Sequence, residues 1–242
     1  MDAAATSTIV LTFDNLGEAS ELERGTRDQD FALGRHPSVT DALPRLLDEL
    51  DRLELRATFF VEAINCELYP AAVRSIGERG HELGAHGWRH EEWAELDAAR
   101  ERELLARATA AFASLGVDVT AFRPPGGGLT ALTPVLLREL GYRWCSPVRD
   151  AVPDDDHGLR WVPFDWELVD AYHLMGRFAP LRVLRGGPSR PLEPAAAGER
   201  LEAILRERDG IRTVIMHPFL MLDDAWWDAA RRTLALIAEL SR

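Results

Sequence analysis

The chain is poor in cysteine, and the two it has, Cys66 and Cys145, stand far apart in no metal-binding spacing. A disulfide scaffold is excluded, and the apolar or aromatic neighbours of each residue suit a buried thiol. Long apolar runs are missing too: nothing in the 242 residues is long enough to cross a bilayer as a helix. The opening residues, Met1 to Thr6, lack a basic segment followed by an apolar one, so the expectation is a cytoplasmic protein. Positive charge is in deficit. With 28 Lys and Arg against 40 Asp and Glu, the formal net charge of −12 argues against nucleic acid and membrane as partners. There is no internal repeat and no boundary in composition, so residues 1–242 read as one domain, with 46% hydrophobic residues to fill its core. Whether copies of it assemble into a homo-oligomer is left open.

What is present is an alternation of strand and helix patterns. Residues 8–13 form a continuous apolar, β-branched run, the mark of a strand covered on both faces, and it stops at Asp14-Asn15. Residues 16–36 are polar and without steady period, and read as a long loop with one helical turn. Ser38 and Asp41 make a capping-box pattern before Leu43, Leu46, Leu47, Leu50 and Leu53, which recur at helical spacing. Further strands are expected at 57–61, just before His86, and at 120–123, 142–146, 159–164 and 213–216. Helices are expected at 69–80, 93–115, 133–140, 195–208 and 223–240. Asp154, Asp155 and Asp156 read as a solvated loop, and 179–198, rich in proline and glycine, as irregular chain serving as a lid or a surface loop. Seven strands alternating with helices call for a parallel sheet covered by helices, and in one domain they predict a single-domain distorted (β/α)7 TIM-like barrel.

The most informative stretch is His81-Glu82-Leu83-Gly84-Ala85-His86-Gly87-Trp88-Arg89-His90. Two imidazoles four residues apart can face one metal ion from a helical turn, although Gly87 between them suits a loop entering a helix equally well. Taken alone, such a pair is more often two surface histidines than a metal site. The odd polar residues nevertheless fall in a pattern: Asp14, His86, Arg123, Asp165 and His217 each follow the carboxyl end of a different predicted strand. In a parallel barrel those ends form one rim, where active sites are built.

As a set, Thr12-Phe13-Asp14-Asn15, His86-Gly87-Trp88-Arg89-His90, Phe122-Arg123-Pro124-Pro125-Gly126-Gly127, Phe164-Asp165-Trp166 with Asp170, and Ile215-Met216-His217 resemble, in order and spacing, the five motifs of the polysaccharide deacetylases, carbohydrate esterase family 4. The resemblance runs from about residue 9 to about residue 217. It implies an incomplete (β/α) barrel with one divalent transition metal, usually zinc, hydrolysing N-acetyl or related amide bonds; for this chain cobalt or nickel are the alternatives to zinc. Carried over residue by residue, it implies His86, His90 and Asn15 as metal ligands and Asp14 as general base, held and oriented by Arg123. It also implies His217 as the acid toward the departing amine, aimed by Asp170 or Asp165, and the Gly126 N–H as an oxyanion donor. Apart from the resemblance, Trp88, Trp161 and Trp166 are candidates for stacking on a saccharide or heterocycle, although aromatics beside such motifs more often serve packing.

Two departures qualify this resemblance. Asn15 stands where most members have an aspartate, and a neutral amide oxygen binds zinc less well than a carboxylate. Gly126 replaces the usual tyrosine, keeping a backbone donor while removing an aromatic wall. Both point to an unusual substrate, a saccharide or small molecule. The His-Gly pair and His217-Pro218-Phe219-Leu220 are closer to the allantoinase-like and atypical peptidoglycan deacetylase branch than to chitin deacetylases. Three functions follow: hydrolysis of a linear amide, hydrolysis of a cyclic amide or ureide, and ligand binding by a pseudoenzyme. Retention of Asp14, Arg123 and His217 argues against the last.

Overall fold

The structure, a computed structural model, describes residues 8–27 and 32–242. Residues 1–6, on which the expectation of location rests, and residues 28–31 of the 16–36 loop lie outside the described residues. Among those described, seven parallel strands form one curled sheet in the order β6-β5-β4-β3-β2-β1-β7. They are β1 (Thr8–Asp14), β2 (Thr58–Val61), β3 (Glu82–Ala85), β4 (Ala121–Phe122), β5 (Trp144–Cys145), β6 (Arg160–Trp161) and β7 (Ile211–Met216). The sheet curls because parallel strands twist and carry their helices outside. Between its edges, β6 and β7, the chain gives a single parallel bridge, Val169 to Ile215, and a hydrogen bond from Thr213 Oγ1 to the Pro163 carbonyl at 2.8 Å. The result is a half-barrel completed by irregular chain, a distorted (β/α)7 barrel as the alternation predicts.

Strand composition explains which strands are long. β1 and β7 run side by side over six paired positions, from Thr8 with Ile211 to Phe13 with Met216, and both enter the core from an exposed first residue and are buried at their carboxyl ends. β4, β5 and β6 shorten to two residues each, less than the patterns at 120–123, 142–146 and 159–164 suggest. Pro124, Pro147 and Pro163 follow closely on them, and a proline has no N–H to extend a ladder. The registers align the strand ends: Ala85 pairs with Phe122, Phe122 with Cys145, and Phe13 with Met216. His86, Arg123 and Ser146 therefore leave the sheet side by side, as do Asp14 and His217.

The helices are α1 (Ala19–Arg24), α2 (Leu43–Arg52), α3 (Asn65–Leu68), α4 (Pro70–Glu78), α5 (Ala98–Ser114), α6 (Thr133–Glu139), α7 (Asp170–Leu174), α8 (Ala179–Leu184), α9 (Pro194–Glu207) and α10 (Asp224–Leu240). Three expectations need correction. Ser38 does not cap α2: its hydroxyl accepts from the Gly17 N–H at 2.9 Å, and the chain enters α2 through a π-helical turn, Ser38–Ala42. The helix expected from residue 93 begins at Ala98, because the Asp97 carboxylate caps the Arg100 N–H at 2.8 Å. Trp93 before it is wholly buried in a separate 3-10 turn and donates to Glu101. Residues 179–198 are not wholly irregular, since α8 occupies their first part with Pro180 in its first turn, where the missing N–H costs nothing. Buried Arg182 fastens that helix by donating to the carbonyls of Tyr172, Met175 and Pro188. Both cysteines are free and buried, as expected, and Asp154, Asp155 and Asp156 are exposed. Among the described residues no helix is long and apolar enough to cross a membrane.

Candidate active site

A cavity of about 420 Å³ opens at the carboxyl ends of the strands, lined by Asp14, Asn15, His86, His90, Arg123, Gly126, Trp166 and His217 among others. Eight of the residues expected at the site thus meet at one place. Asp170 lies directly behind His217, and three residues, Asp165, Trp88 and Trp161, are elsewhere.

The floor is an ion pair. Arg123, 1% exposed, donates from Nη1 to Asp14 Oδ1 at 2.7 Å and to Thr12 Oγ1 at 2.7 Å, and from Nη2 to Ser146 Oγ at 2.8 Å. Its guanidinium lies 4.2 Å over the Phe60 ring. Burial pulls its pKa below the usual arginine value and Asp14 opposes that pull; a guanidinium stays charged in such a setting. The arrangement occupies one oxygen of Asp14 and leaves Oδ2 free, 3.9 Å from His86 Nε2.

The wall beside it carries the imidazoles. His86 Nδ1 is 2.8 Å from the Arg123 carbonyl, so that nitrogen carries the proton and Nε2 keeps its lone pair. Burial lowers the pKa of His86 to about 3 and holds His90 well below its ordinary value, so both rings are neutral. Their centroids are 5.0 Å apart. The turn that presents them is built on Glu91, whose buried carboxylate accepts from the Trp88 N–H and the Arg89 N–H, both at 2.9 Å. Gly87 makes this packing fit: its φ is +70°, and a Cβ there would stand 2.7 Å from Glu91 Oε2.

No cluster of three His, Cys, Asp or Glu side chains suited to a metal occurs among the described residues. The third candidate donor is the Asn15 amide, whose buried Oδ1 has no hydrogen-bond partner, and His90 Nδ1 is orphaned likewise. Buried polar atoms are rarely left without a partner, and an orphaned amide oxygen beside neutral imidazoles suits a cation. Asn15 and His90 are also two of the four non-glycine residues with positive φ among those described, at 60° and 73°. Such backbone settings gather at functional sites. The donor set therefore fits one divalent transition metal through two nitrogens and a neutral oxygen, with Asp14 Oδ2, 3.9 Å from His86 Nε2, as the anionic group beside them.

Opposite, His217 is aimed by Asp170, which is wholly buried. Asp170 Oδ1 is 2.5 Å from His217 Nδ1, and Oδ2 accepts the His217 backbone N–H at 2.8 Å. Asp165, the other expected partner, points elsewhere: it forms an ion pair with Arg149 at 2.9 Å on the outside and does not line the cavity. Trp88 is corrected as well. It is 2% exposed, stacked 3.6 Å under Arg107, and belongs to the core. Trp166 does line the cavity, packed between the rings of Phe164 at 5.3 Å and Phe178 at 5.4 Å. Gly126, with φ of +74°, has open space where a Cβ would be, so no side chain closes that part of the opening.

Sequence reasoning missed several contributors. Thr12 and Ser146 fix Arg123, and Thr12 was findable as the polar residue two before Asp14 in an otherwise apolar strand, on the same face. Glu91 adjoins the histidine motif but carries no signal of its own. Arg24, Glu92 and Arg177 also line the cavity, and no motif marks them.

The chain is similar to known proteins in sequence and in fold. The chain is 36% identical over 127 residues to a chitin deacetylase from Pestalotiopsis sp, covering 49% of this chain and 43% of that protein. It is 29% identical over 103 residues to a peptidoglycan deacetylase from Helicobacter pylori, covering 42% and 35%. The matched stretches thus span less than half the length of these curated relatives. Among solved structures, a Mycobacterium smegmatis protein assigned to the polysaccharide deacetylases superposes with a TM-score of 0.76 at 28% identity, over 98% of this chain and 86% of that one. The allantoinase Puue shares the fold with a TM-score of 0.70 at 18% identity, over 93% and 82%. The sequence profile of the polysaccharide deacetylases matches residues 2–145, more than half of the chain, and the chain belongs to the polysaccharide deacetylase family.

Proposed function

We propose that this protein hydrolyses a C–N amide bond with the help of one divalent transition metal, removing an acetyl or related acyl group from an amino sugar or a small molecule. The single observation that carries the reading is the convergence, around one cavity, of a carboxylate held by arginine, two neutral imidazoles and a histidine aimed by a buried aspartate. An amide is a poor electrophile with a poor leaving group, so its hydrolysis needs activated water, stabilisation of the oxyanion and a proton for the amine. His86, His90 and Asn15 would hold the metal, zinc or in its place cobalt or nickel, which when bound supplies Lewis acidity toward the acyl oxygen and water.

The remaining work falls to the chain. Asp14, anchored through Oδ1 by Arg123, takes the proton of water on its free Oδ2. Gly126, an exposed residue of the turn that lines the cavity, offers its N–H to the developing oxyanion. His217, with Nδ1 engaged by Asp170, has Nε2 left to protonate the leaving amine. Trp166 and Phe178 form an apolar wall against the acyl or sugar face.

A second reading, ligand binding without turnover, is favoured by Asn15 and by the lack, among the described residues, of a three-ligand cluster of the usual residue types. Acetate release from N-acetylated amino sugars by metal-supplemented protein separates the two. Release that disappears in Asp14→Asn supports hydrolysis. Ring opening of a cyclic ureide with no acetate release would move the reading to that class, and silence on both substrates would favour the binding protein.

A further inference from the structure

The mouth of the cavity carries charge that the hydrolytic machinery does not use. Arg24, at the end of α1, and Arg177, in the 3-10 turn Gly176–Phe178, come from loops far apart in sequence and both line the cavity. Both also line a neighbouring cavity of about 360 Å³, so they stand on the ridge between the two openings. Among the described residues neither forms an ion pair or a hydrogen bond with a carboxylate, although arginines elsewhere in this acidic chain are widely paired. Lining the same two cavities, they bear on one another: after burial, the charge of Arg24 is the largest influence pulling the Arg177 pKa down, and that of Glu92 opposes it. The cavity lining as a whole holds three arginines against two carboxylates, and one of those arginines is committed to Asp14. In a chain of formal net charge −12, this is a local reversal of sign.

Like charges gathered at one opening cost free energy that Glu92 and, on the side of the second cavity, Glu21 offset without pairing with either arginine, and an anion held by both removes more of that cost. A guanidinium pair suits a planar or tetrahedral oxyanion, and the adjoining rings of Phe178 and Trp166 suit the body that carries it. Resting on the reading of this site as an amide hydrolase, we propose that its substrate bears an anionic group, a carboxylate or a phosphate, which Arg24 and Arg177 hold at the cavity mouth. Glu92 tunes this preference in the opposite direction.

The test is calorimetric binding of three probes to the purified protein: N-acetylglucosamine, its 6-phosphate, and N-acetylmuramic acid, whose added group is a carboxylate. At least one anionic probe is expected to bind about tenfold or more tighter than the neutral sugar, the worth of a charge-assisted hydrogen bond. Comparing the two anions tells phosphate from carboxylate. In the Arg24→Gln/Arg177→Gln double variant the preference should collapse toward one, while Glu92→Gln should raise it, a change of sign that general destabilisation would not produce. Arg232→Gln, removing an exposed charge from α10, should leave the preference in place. Equal binding of neutral and anionic probes, no binding of any, or a preference that survives the double variant would each overturn the proposal. Acetate release in the same samples separates the two readings. Release without anion preference defeats this proposal alone, whereas arginine-dependent anion binding without release upholds the anion site and defeats the hydrolase reading.

Discussion

Asp14 has one oxygen fixed by Arg123 and the other 3.9 Å from a histidine that is a candidate ligand, so it is placed to be either a base or a third ligand. The phenotypes differ. As a base, Asp14→Asn should lower turnover by about 10²-fold or more, the usual worth of such catalysis, with metal content nearly unchanged. Joint loss of metal and activity would make Asp14 a ligand. Its neighbour is decided separately: Asn15→Asp should tighten zinc binding in a competition titration, because it adds an anionic donor beside two neutral imidazoles. Unchanged or weaker affinity would remove Asn15 from the ligand set. Behind this pair, wholly buried Glu62 accepts from the Leu16 N–H at 3.3 Å while its Oε1 has no partner, and burial raises its pKa well above the ordinary carboxylate value. A carboxyl whose folded pKa is raised costs stability once pH exceeds the unfolded value, and the cost grows until the folded value is passed. Glu62→Gln is therefore expected to raise the Tm at pH 8 and to make little difference near pH 4. A lower Tm at pH 8 would show that the charged form is the one the fold prefers.

At the scale of single elements, the turn between β3 and α5 shows how position is enforced. Glu91 gathers two N–H groups of the segment joining His86 to His90, and Gly87 leaves the space for it. Glu91→Ala leaves two N–H groups without their acceptor and should cost roughly 1–3 kcal/mol of stability, measured by denaturant unfolding, with a fall in bound metal. Glu91→Gln, which keeps an acceptor, should recover part of both. Full metal loading in the alanine variant would mean that the turn holds its shape without Glu91. Elements of this kind were only partly legible in the sequence. Strand and helix periods gave β1, β2, β7, α9 and α10 nearly as found, since long amphipathic or apolar runs leave little choice of face. Boundaries set by single side chains did not show: Ser38 and Asp41 look like a cap, yet the Ser38 hydroxyl is taken by Gly17 from another loop. In α8, burial of Arg182 overrides a stretch whose prolines and glycines read as irregular.

For the whole molecule, the rim could be read from sequence because a parallel barrel brings the carboxyl ends of its strands to one side whatever the details of packing. Asp14, His86, Arg123 and His217 are fixed to that rim by register, and each was visible as the polar residue that stops an apolar run. Asp165 met the same criterion and failed, because the rule gives the level of a residue and not the direction of its side chain, which Arg149 draws outward. Trp88 failed for a related reason, as an aromatic beside a motif has two sides to choose from and packing chose the core. Arg24 and Arg177 were invisible because they approach one another only through the fold. A cation bound between His86, His90 and Asn15 is central to the proposed chemistry, and elemental analysis of the purified protein tests it most directly. After supplementation with zinc, cobalt or nickel, about one transition metal per chain is expected, as for a single mononuclear site, with most of it lost in His86→Ala. Equally low metal content in the native protein and in His86→Ala would contradict it.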